Sequence, residues 1–372
     1  MQYQHVCLES FGYTVPDEIV SSDEIESRLQ PLYERLRLPE GRLELMTGIA
    51  ERRFWSPGAM PSDMSVQSGL KALRAAELEP SEIGLLIHGS VCRDYLEPAT
   101  ACSVHHRLGL PHDCVIYDVS NACLGLLNGI VQAANMIELG QIRAALVVGT
   151  EGSRQLVETT IDSLNNDTTL TRKQLRLAVA SLTIGSASCG VVLTHRSISK
   201  TANRLTCAAA RANTAHHQLC HSGHDEAGST MQPLMQTDSE VLMREGIATG
   251  GETFVEFLGE SGWDIDDIHR TVCHQVGSAH RKMMLEQLGL DPSNDFTTLE
   301  WLGNTGSVAL PITMAIAAER KFLKAGDHVG MLGIGSGINC LMLGVDWQSA
   351  RVRSSLDEPT SVVDEVVAGD AN

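Results

Sequence analysis

The sequence is short of positive charge. Its 372 residues carry 28 Lys and Arg against 46 Asp and Glu, a formal net charge of −18 at pH 7. A nucleic-acid surface needs a basic face, so no nucleic-acid partner is expected. An anionic substrate remains open, because a local arginine cluster holds phosphate even on an acidic protein. No apolar run reaches membrane-spanning length, so no membrane span is expected. Residues 1–15 have neither a basic start nor an apolar core, so no export signal is read. The ten cysteines show no paired spacing. Unpaired thiols without an export signal imply a reducing cytoplasm. What remains is an ordinary apolar content without low-complexity stretches, in a chain long enough for a large core and two domain-sized units.

Those two units repeat each other. A helical pattern at 65–77 precedes Glu79-Pro80-Ser81-Glu82-Ile83 and an apolar strand at 84–89. A second helical pattern at 251–262 precedes Asp264-Ile265-Asp266-Asp267-Ile268 and a strand at 269–273. Downstream, Ser120-Asn121-Ala122-Cys123 opens a helix followed by a strand at 141–149. Gly303-Asn304-Thr305-Gly306 opens a helix followed by a strand at 328–332 and the run Gly333-Ile334-Gly335-Ser336-Gly337. Each half reads as α/β, with strands buried on both faces alternating with helices. The expected division is an N-terminal half at 1–196, a cap or insert at 197–250, a C-terminal half at 251–350 and an acidic, disordered tail at 351–372. Ligands of open α/β sheets bind beyond the carboxyl ends of strands, and Cys123, His274 and Asn304 all follow strand ends.

Cys123 follows an apolar strand and a polar turn, which places its thiol on the first turn of a helix. Free N–H groups and the helix dipole there favour the thiolate. A buried, inert thiol is the other reading of the segment. His274 alone reads as a structural histidine at a strand end, and Asn304 alone as a helix N-cap; their matched placement in a duplicated fold raises both. The cluster His216-His217-Gln218-Leu219-Cys220-His221-Ser222-Gly223-His224 lacks the second ligand pair of a structural zinc site. It reads as a lid over a pocket, and no metal is expected.

Taken together, Cys123, His274-Gln275 and Gly303-Asn304-Thr305-Gly306 resemble the Cys–His–Asn triad of thiolase-superfamily condensing enzymes. The ketoacyl-ACP synthase III branch is the nearest broad group, with Thr47-Gly48-Ile49-Ala50-Glu51-Arg52-Arg53 also similar. The resemblance runs from about residue 4 to 347. Within the branch, Ser90-Val91-Cys92-Arg93-Asp94-Tyr95-Leu96-Glu97-Pro98-Ala99-Thr100 resembles OleA-type acyl-CoA condensing enzymes, which join two fatty acyl-CoAs head to head without decarboxylation. The resemblance implies a thiolase-like fold of two duplicated βαβαβαββ halves in a five-layered αβαβα arrangement. It implies Cys123 as nucleophile, His274 and Asn304 as enolate-stabilising donors, and the N–H groups of Cys123 and Ser336 as oxyanion hole. Glu97 is then the base, reaching into the partner's site in a homodimer. Condensing two plain acyl thioesters requires removal of an α-proton, a task for a positioned carboxylate.

The implied substrates are fatty acyl-CoA thioesters, and no cofactor is expected. Arg52, Arg53 and Arg93 are candidate phosphate partners. A product-processing enzyme or an acyl carrier protein is a further expected partner. The branch's usual Ala-Asn after His-Gln is replaced by Val276-Gly277, and its adenine-clamping Trp and Arg fall on Arg42 and Met46. Three other readings share the triad or part of it: a decarboxylating ketoacyl-ACP synthase III using malonyl-ACP, acyl transfer to a small acceptor, and an inactive scaffold subunit.

Overall fold

The computed structural model describes residues 1–222 and 235–354. The N-terminal half runs β1 (Val6–Thr14), α1 (Pro61–Ala76), β2 (Leu85–Gly89), α2 (Thr100–Leu108), β3 (Val115–Val119), α3 (Gly125–Glu138), β4 (Ala144–Glu151) and β5 (Ala187–His195). The C-terminal half runs β6 (Arg204–Ala212), α4 (Ser239–Ser261), β7 (Arg270–Cys273), α5 (Ser278–Leu288), α6 (Ala309–Glu319), β8 (His328–Gly335) and β9 (Asn339–Asp346).

The strand order is β7-β8-β9-β6-β1-β5-β4-β2-β3. Only Cys7↔Arg204 joins β1 to β6, so two sheets meet at one pair. In the first sheet β2 runs parallel to β3 and β4, while β5 is antiparallel to both β4 and β1. The second repeats this: β7 is parallel to β8, and β9 is antiparallel to β8 and β6. The counterpart of β3 is reduced to the bridge Thr271↔Asp295.

The packing gives five layers. Helices α1 and α2 cover the outer face of the first sheet through Val66, Leu73, Val104 and Leu108 against Leu86, Leu146 and Val192. On the far side, α4 and α5 cover the second sheet through Phe254, Phe257 and Leu285 against Met342 of β9. Between the sheets lie α3 and α6, whose Leu126, Ile130, Leu310, Ile312 and Met314 share one core with Val191, Val147, Met331 and Leu343. Every residue of α6 from Ala309 to Ala318 is buried, as expected of a helix that is apolar all round.

Two boundaries differ from the sequence expectation. The stretch 197–250 is not all cap, because β6 lies within it, hydrogen-bonded to β9 on one side. Its Ala208-Ala209-Ala210 lacks the large β-branched residues that mark a strand. Nor is the tail irregular from 351: Val352–Ser354 pairs with β1, and from 355 the tail lies outside the described residues.

The two halves also touch at backbone level. Asn304 N–H donates to Thr183 O and Gly185 N–H to Asn304 O, both at 2.9 Å. A Cβ on Gly185 would stand 1.8 Å from Leu302 O, whereas one on Gly259, on the exposed face of α4, would meet nothing within 4 Å. The two Gly→Ala variants therefore have opposite signs. Gly185→Ala is expected to cost at least about 2 kcal/mol through overpacking, and Gly259→Ala to add about 0.5–1 kcal/mol of helix propensity. Urea unfolding checks both, and equal effects would break the prediction.

Candidate active site

Three helix-entry turns and two strand ends open onto one cavity of ≈ 1450 Å³, lined by Cys123, His274, Asn304, Glu151 and Ser336. A single small ligand usually fills about 300–1,000 Å³. Its deeper walls include Leu156, Val179, Ile184, Leu242, Met243 and Ile334, a lining that suits hydrocarbon chains.

Cys123 sits beyond β3 but not within α3. The helix starts at Gly125 with Leu124 as cap, and Ala122 has φ 45°. A left-handed alanine costs about 1–2 kcal/mol and stops helical geometry from extending back to the thiol. The expectation of a first-turn thiolate therefore needs correction. The Cys123 thiol is pushed up to about 12, first by desolvation, then by the negative charge of Glu151 and the neighbouring Cys220. Helix N-termini lower thiol pKa values, but here burial outweighs that pull. At neutral pH Cys123 is therefore a thiol. Its backbone N lies 3.6 Å from where a Cβ on Gly335 would stand, so the amides of Cys123 and the Gly335–Ser336 turn are neighbours.

His274 follows β7, its own N–H donating to Leu332 O at 2.9 Å. The ring is buried, and neither Nδ1 nor Nε2 has a hydrogen-bond partner. Desolvation, and then His280, lowers its pKa to about 3. The imidazole is thus neutral, with one N–H to donate and one lone pair to accept. His280, on α5, lines the same cavity; desolvation lowers it to about 4, and its Nδ1 is also unpartnered. Gln275 faces away, bonded to Phe296 O, Thr297 and Thr298.

Asn304 is held by the 183–185 strand entry, and its Oδ1 accepts from Gly306 N–H at 3.0 Å. That bond leaves the amide Nδ2 as its donor toward the cavity. Ser336 is tied to the nucleophile turn through Asn339, whose Nδ2 donates to Ser336 O at 3.1 Å and to Asn121 Oδ1 at 3.3 Å.

The structure brings Cys123, His274, Asn304 and Ser336 together and separates the others. Glu97 is exposed on the loop between β2 and α2, outside its own chain's cavity. Arg52 is wholly buried, donating to Val20 O, Ser22 Oγ and Leu182 O, so it serves the fold and is withdrawn as a phosphate ligand. Arg53 is withdrawn with it, because its Nη1 is spent on Pro16 O at 3.0 Å and it does not line the cavity. Arg93 remains, exposed at the cavity wall. Met46 lines the cavity, whereas Arg42 lies on the surface with a guanidinium contact to the Met46 sulfur.

Of the described part of the histidine-rich stretch read as a lid, Cys220 reaches the cavity. Met235, Thr237 and Asp238 line it as well. His216 faces Glu245 at 3.4 Å and His217 Nδ1 lies 3.0 Å from Thr214 O. Residues 223–234, with His224, fall outside the described residues. Sequence reading missed Glu151 and His280. Glu151 ends a strand, the same signal that nominated His274.

Residues 258–347 match the family described as 3-oxoacyl-[acyl-carrier-protein] synthase III C terminal, and 45–176 match the thiolase N-terminal domain. The chain is 42% identical over 351 residues to an acyl-CoA:acyl-CoA alkyltransferase of Shewanella oneidensis, covering 93% of this chain and 100% of the relative. It is 35% identical over 347 residues to the Xanthomonas campestris protein of the same name, with 93% and 100% covered. A β-ketoacyl-[acyl-carrier-protein] synthase III of Clostridium tetani is 24% identical, with 82% and 89% covered. Among solved structures, cerulenin-bound Xanthomonas campestris OleA matches at TM-score 0.88 and 35% identity, covering 93% and 98%. A cysteine variant of OleA with bound lauric acid and lauroyl-CoA matches at TM-score 0.87 and 35% identity, covering 93% and 100%.

Two outcomes follow from the raised thiol and the depressed imidazoles. Alkylation of Cys123 by iodoacetamide, followed by peptide mass spectrometry, is expected to accelerate about tenfold per pH unit between pH 7 and 9, since only the thiolate reacts. A plateau below pH 8 would mean that the helix start wins after all. The second outcome concerns stability. His274 and His280 titrate below the unfolded value near 6.5, so the unfolded chain binds more protons below that pH. Stability is lost as pH falls through the window from about 6.5 towards 4, by about 1.4 kcal/mol per pH unit for each imidazole. Urea unfolding at pH 7 and pH 5 should show that His280→Leu flattens part of this slope; an unaltered slope would contradict it.

Proposed function

The chain belongs to the acyl-CoA:acyl-CoA alkyltransferase (OleA-type) family of thiolase-like condensing enzymes, and from that premise we propose how its own residues join two fatty acyl-CoAs head to head by Claisen condensation. The observation that carries the assignment is the full-length match to an acyl-CoA:acyl-CoA alkyltransferase at 42% identity. The cavity supports the scheme, being larger than one ligand needs and walled by apolar side chains.

In this scheme Cys123 attacks the first thioester, coenzyme A leaves, and an acyl-enzyme forms. The Cys123 proton must go to a base as the S–C bond forms, because the resting group is a thiol. Neutral His274, with a lone pair that no protein group occupies, is suited to receive it and to pass it to the departing coenzyme A thiolate, which returns the imidazole to its neutral form. The amides of Cys123 and Ser336 hold the tetrahedral oxyanion. The second acyl-CoA then places its thioester oxygen on the N–H donors of His274 and Asn304. Once its α-proton leaves, these two donors stabilise the enolate. The carbanion attacks the acyl-Cys123 carbonyl, forming the new C–C bond as the C–S bond breaks, and the departing Cys123 thiolate takes up the proton that the base had removed. The product is a 2-alkyl-3-ketoacyl-CoA, open to hydrolysis to the β-keto acid. Every step moves an acyl group or a proton, so the scheme calls for no metal or redox cofactor.

The base is assigned to Glu97 of a second copy. Strand β3 is the last strand of its sheet among the described residues, and Val115 on it is 45% exposed. Beside it, the loop that carries Glu97 presents Val91, Tyr95 and Leu96 at 50%, 61% and 55% exposure. An open edge strand flanked by an apolar patch favours pairing with a like edge, which buries this loop against the partner. Arg93 on the same loop is the candidate for the coenzyme phosphates. Ten free thiols suit a reducing cytoplasm, and no helix among the described residues is long and apolar enough to cross a membrane.

One assay tests the whole scheme. Supplied with a single long-chain acyl-CoA and no malonyl donor, the enzyme should release coenzyme A and a doubled-chain β-keto acid or its ketone, read by mass spectrometry. Glu97→Ala should lower product by about 10²-fold or more, the usual contribution of a general base, while still forming the Cys123 acyl-enzyme. Cys123→Ala should form neither. Co-expressing the two variants under different tags and isolating the mixed dimer should restore product. Silence from that dimer would remove the trans role of Glu97, and a strict need for malonyl-ACP would move the enzyme to decarboxylative condensation.

A further inference from the structure

The scheme above leaves one buried charged residue at the cavity unused. Glu151 ends β4 and is 5% exposed. Its Oε1 accepts from Val91 N–H at 3.0 Å, Ser307 N–H at 3.3 Å and Ser307 Oγ–H at 2.6 Å, and its Oε2 accepts from Cys92 N–H at 3.3 Å. These donors belong to two functional segments. Val91 and Cys92 start the loop that leads to Glu97. Ser307 is three residues after Asn304, at the turn that enters α6.

We propose that Glu151 is a positioning residue for the condensation, one buried carboxylate that fixes the Glu97-bearing loop and the Asn304 turn in register with each other across the junction of the two halves. The proposal rests on the condensation scheme and deepens it: the base is offered to the partner's site, the enolate donor to the chain's own, and Glu151 spans both segments. A carboxylate suits this post because every partner donates, and an ionised carboxylate only accepts. An amide would set two N–H groups against the Cys92 N–H. The same engagement argues against Glu151 as the α-proton base, since its Oε1 already carries three donors and its Oε2 one. The surroundings are fitted to it as well. A Cβ on Gly306, where φ is 57°, would stand 3.1–3.3 Å from the Glu151 side chain, so a larger residue there would crowd the carboxylate. Trp55 Nε1 donates to the Glu151 carbonyl at 2.9 Å and Arg154 Nε to the Trp55 carbonyl at 2.8 Å, so the backbone of the residue is braced from the other side. The charge also acts on Cys123, disfavouring its thiolate.

Two variants separate this role from simple scaffolding. Glu151→Gln keeps size and Oε1 but removes the charge. It should lower condensation turnover at least about tenfold, as small misplacements of reacting groups do, with the acyl-CoA KM changed less than the turnover. It should also move the pH profile of Cys123 alkylation downward by about half a unit or more, through loss of a nearby negative charge. Ser307→Ala removes one donor and leaves the charge, so it should lower turnover without moving the alkylation profile. A folded Glu151→Gln enzyme with parental turnover and an unmoved profile would overturn the proposal. So would parental turnover in Ser307→Ala, which decides the question if Glu151→Gln does not fold. Alkylation uses no acyl-CoA, so a parent enzyme that gives no condensation product would count against the proposed function and leave the alkylation test of Glu151 standing.

Discussion

The structure depends on one shared layer. Helices α3 and α6 lie side by side between two sheets, in a core that neither half completes alone. A helix as uniformly buried as α6 has no solvent face to turn outward, so its start is fixed by packing. The turn that leads into α6 carries Asn304, the start of α3 follows Cys123, and the strands β7 and β8 flanking that layer end immediately before His274 and Ser336. Duplication brings the strand ends to one side of the core, and the common helical layer brings them to one cavity. The backbone exchange between Asn304 and residues 183–185 then sets the carboxamide to within a hydrogen bond's tolerance.

Chemistry in this cavity is governed by dryness. Desolvation is the largest influence on Cys123, His274 and His280 alike, and it favours the neutral form of each. A neutral thiol and a neutral imidazole cost less to bury than an ion pair would. They fit a cavity that must also accept hydrocarbon. The two unpartnered nitrogens of His274 carry an unmet hydrogen-bonding demand that a thioester oxygen and a departing proton would satisfy. An unsatisfied buried polar group costs about 1–3 kcal/mol, so the resting site is destabilised in the way that favours substrate.

Much of this was legible in the sequence, and the failures have physical causes. Cys123, His274 and Asn304 could be found because strand ends and helix starts are written locally, in apolar runs and in Gly, Ser and Asn turns. The protonation of Cys123 could not be read, because it depends on how deeply other segments bury the thiol and on Glu151, 28 positions away in the chain. The helix start was misplaced because a left-handed Ala122 leaves no mark in composition. Arg52 and Arg53 looked like phosphate ligands because arginine in a motif suggests an anion. Their true partners, the carbonyls of Val20, Leu182 and Pro16, come from distant backbone. Strand β6 was hidden within the expected cap because small residues carry little β signal.

The remaining question is where an α-proton acceptor can come from, and the cavity narrows it by exclusion. Four acidic residues line the cavity: Glu151, Glu158, Asp238 and Glu240. Glu151 already accepts four hydrogen bonds from backbone and hydroxyl donors. Glu158 pairs with Arg154 at 3.2 Å, and Asp238 caps α4 by accepting from Val241 N–H. Glu240 stands exposed on the first turn of α4, in water. Among the described residues, then, each acidic group of the chain's own cavity is either engaged or solvated. A carboxylate delivered from a neighbouring copy, as proposed for Glu97, would meet neither obstacle, because it would be desolvated only on closing against the second chain. An open sheet edge beside an apolar loop that bears Glu97 is the arrangement such delivery requires.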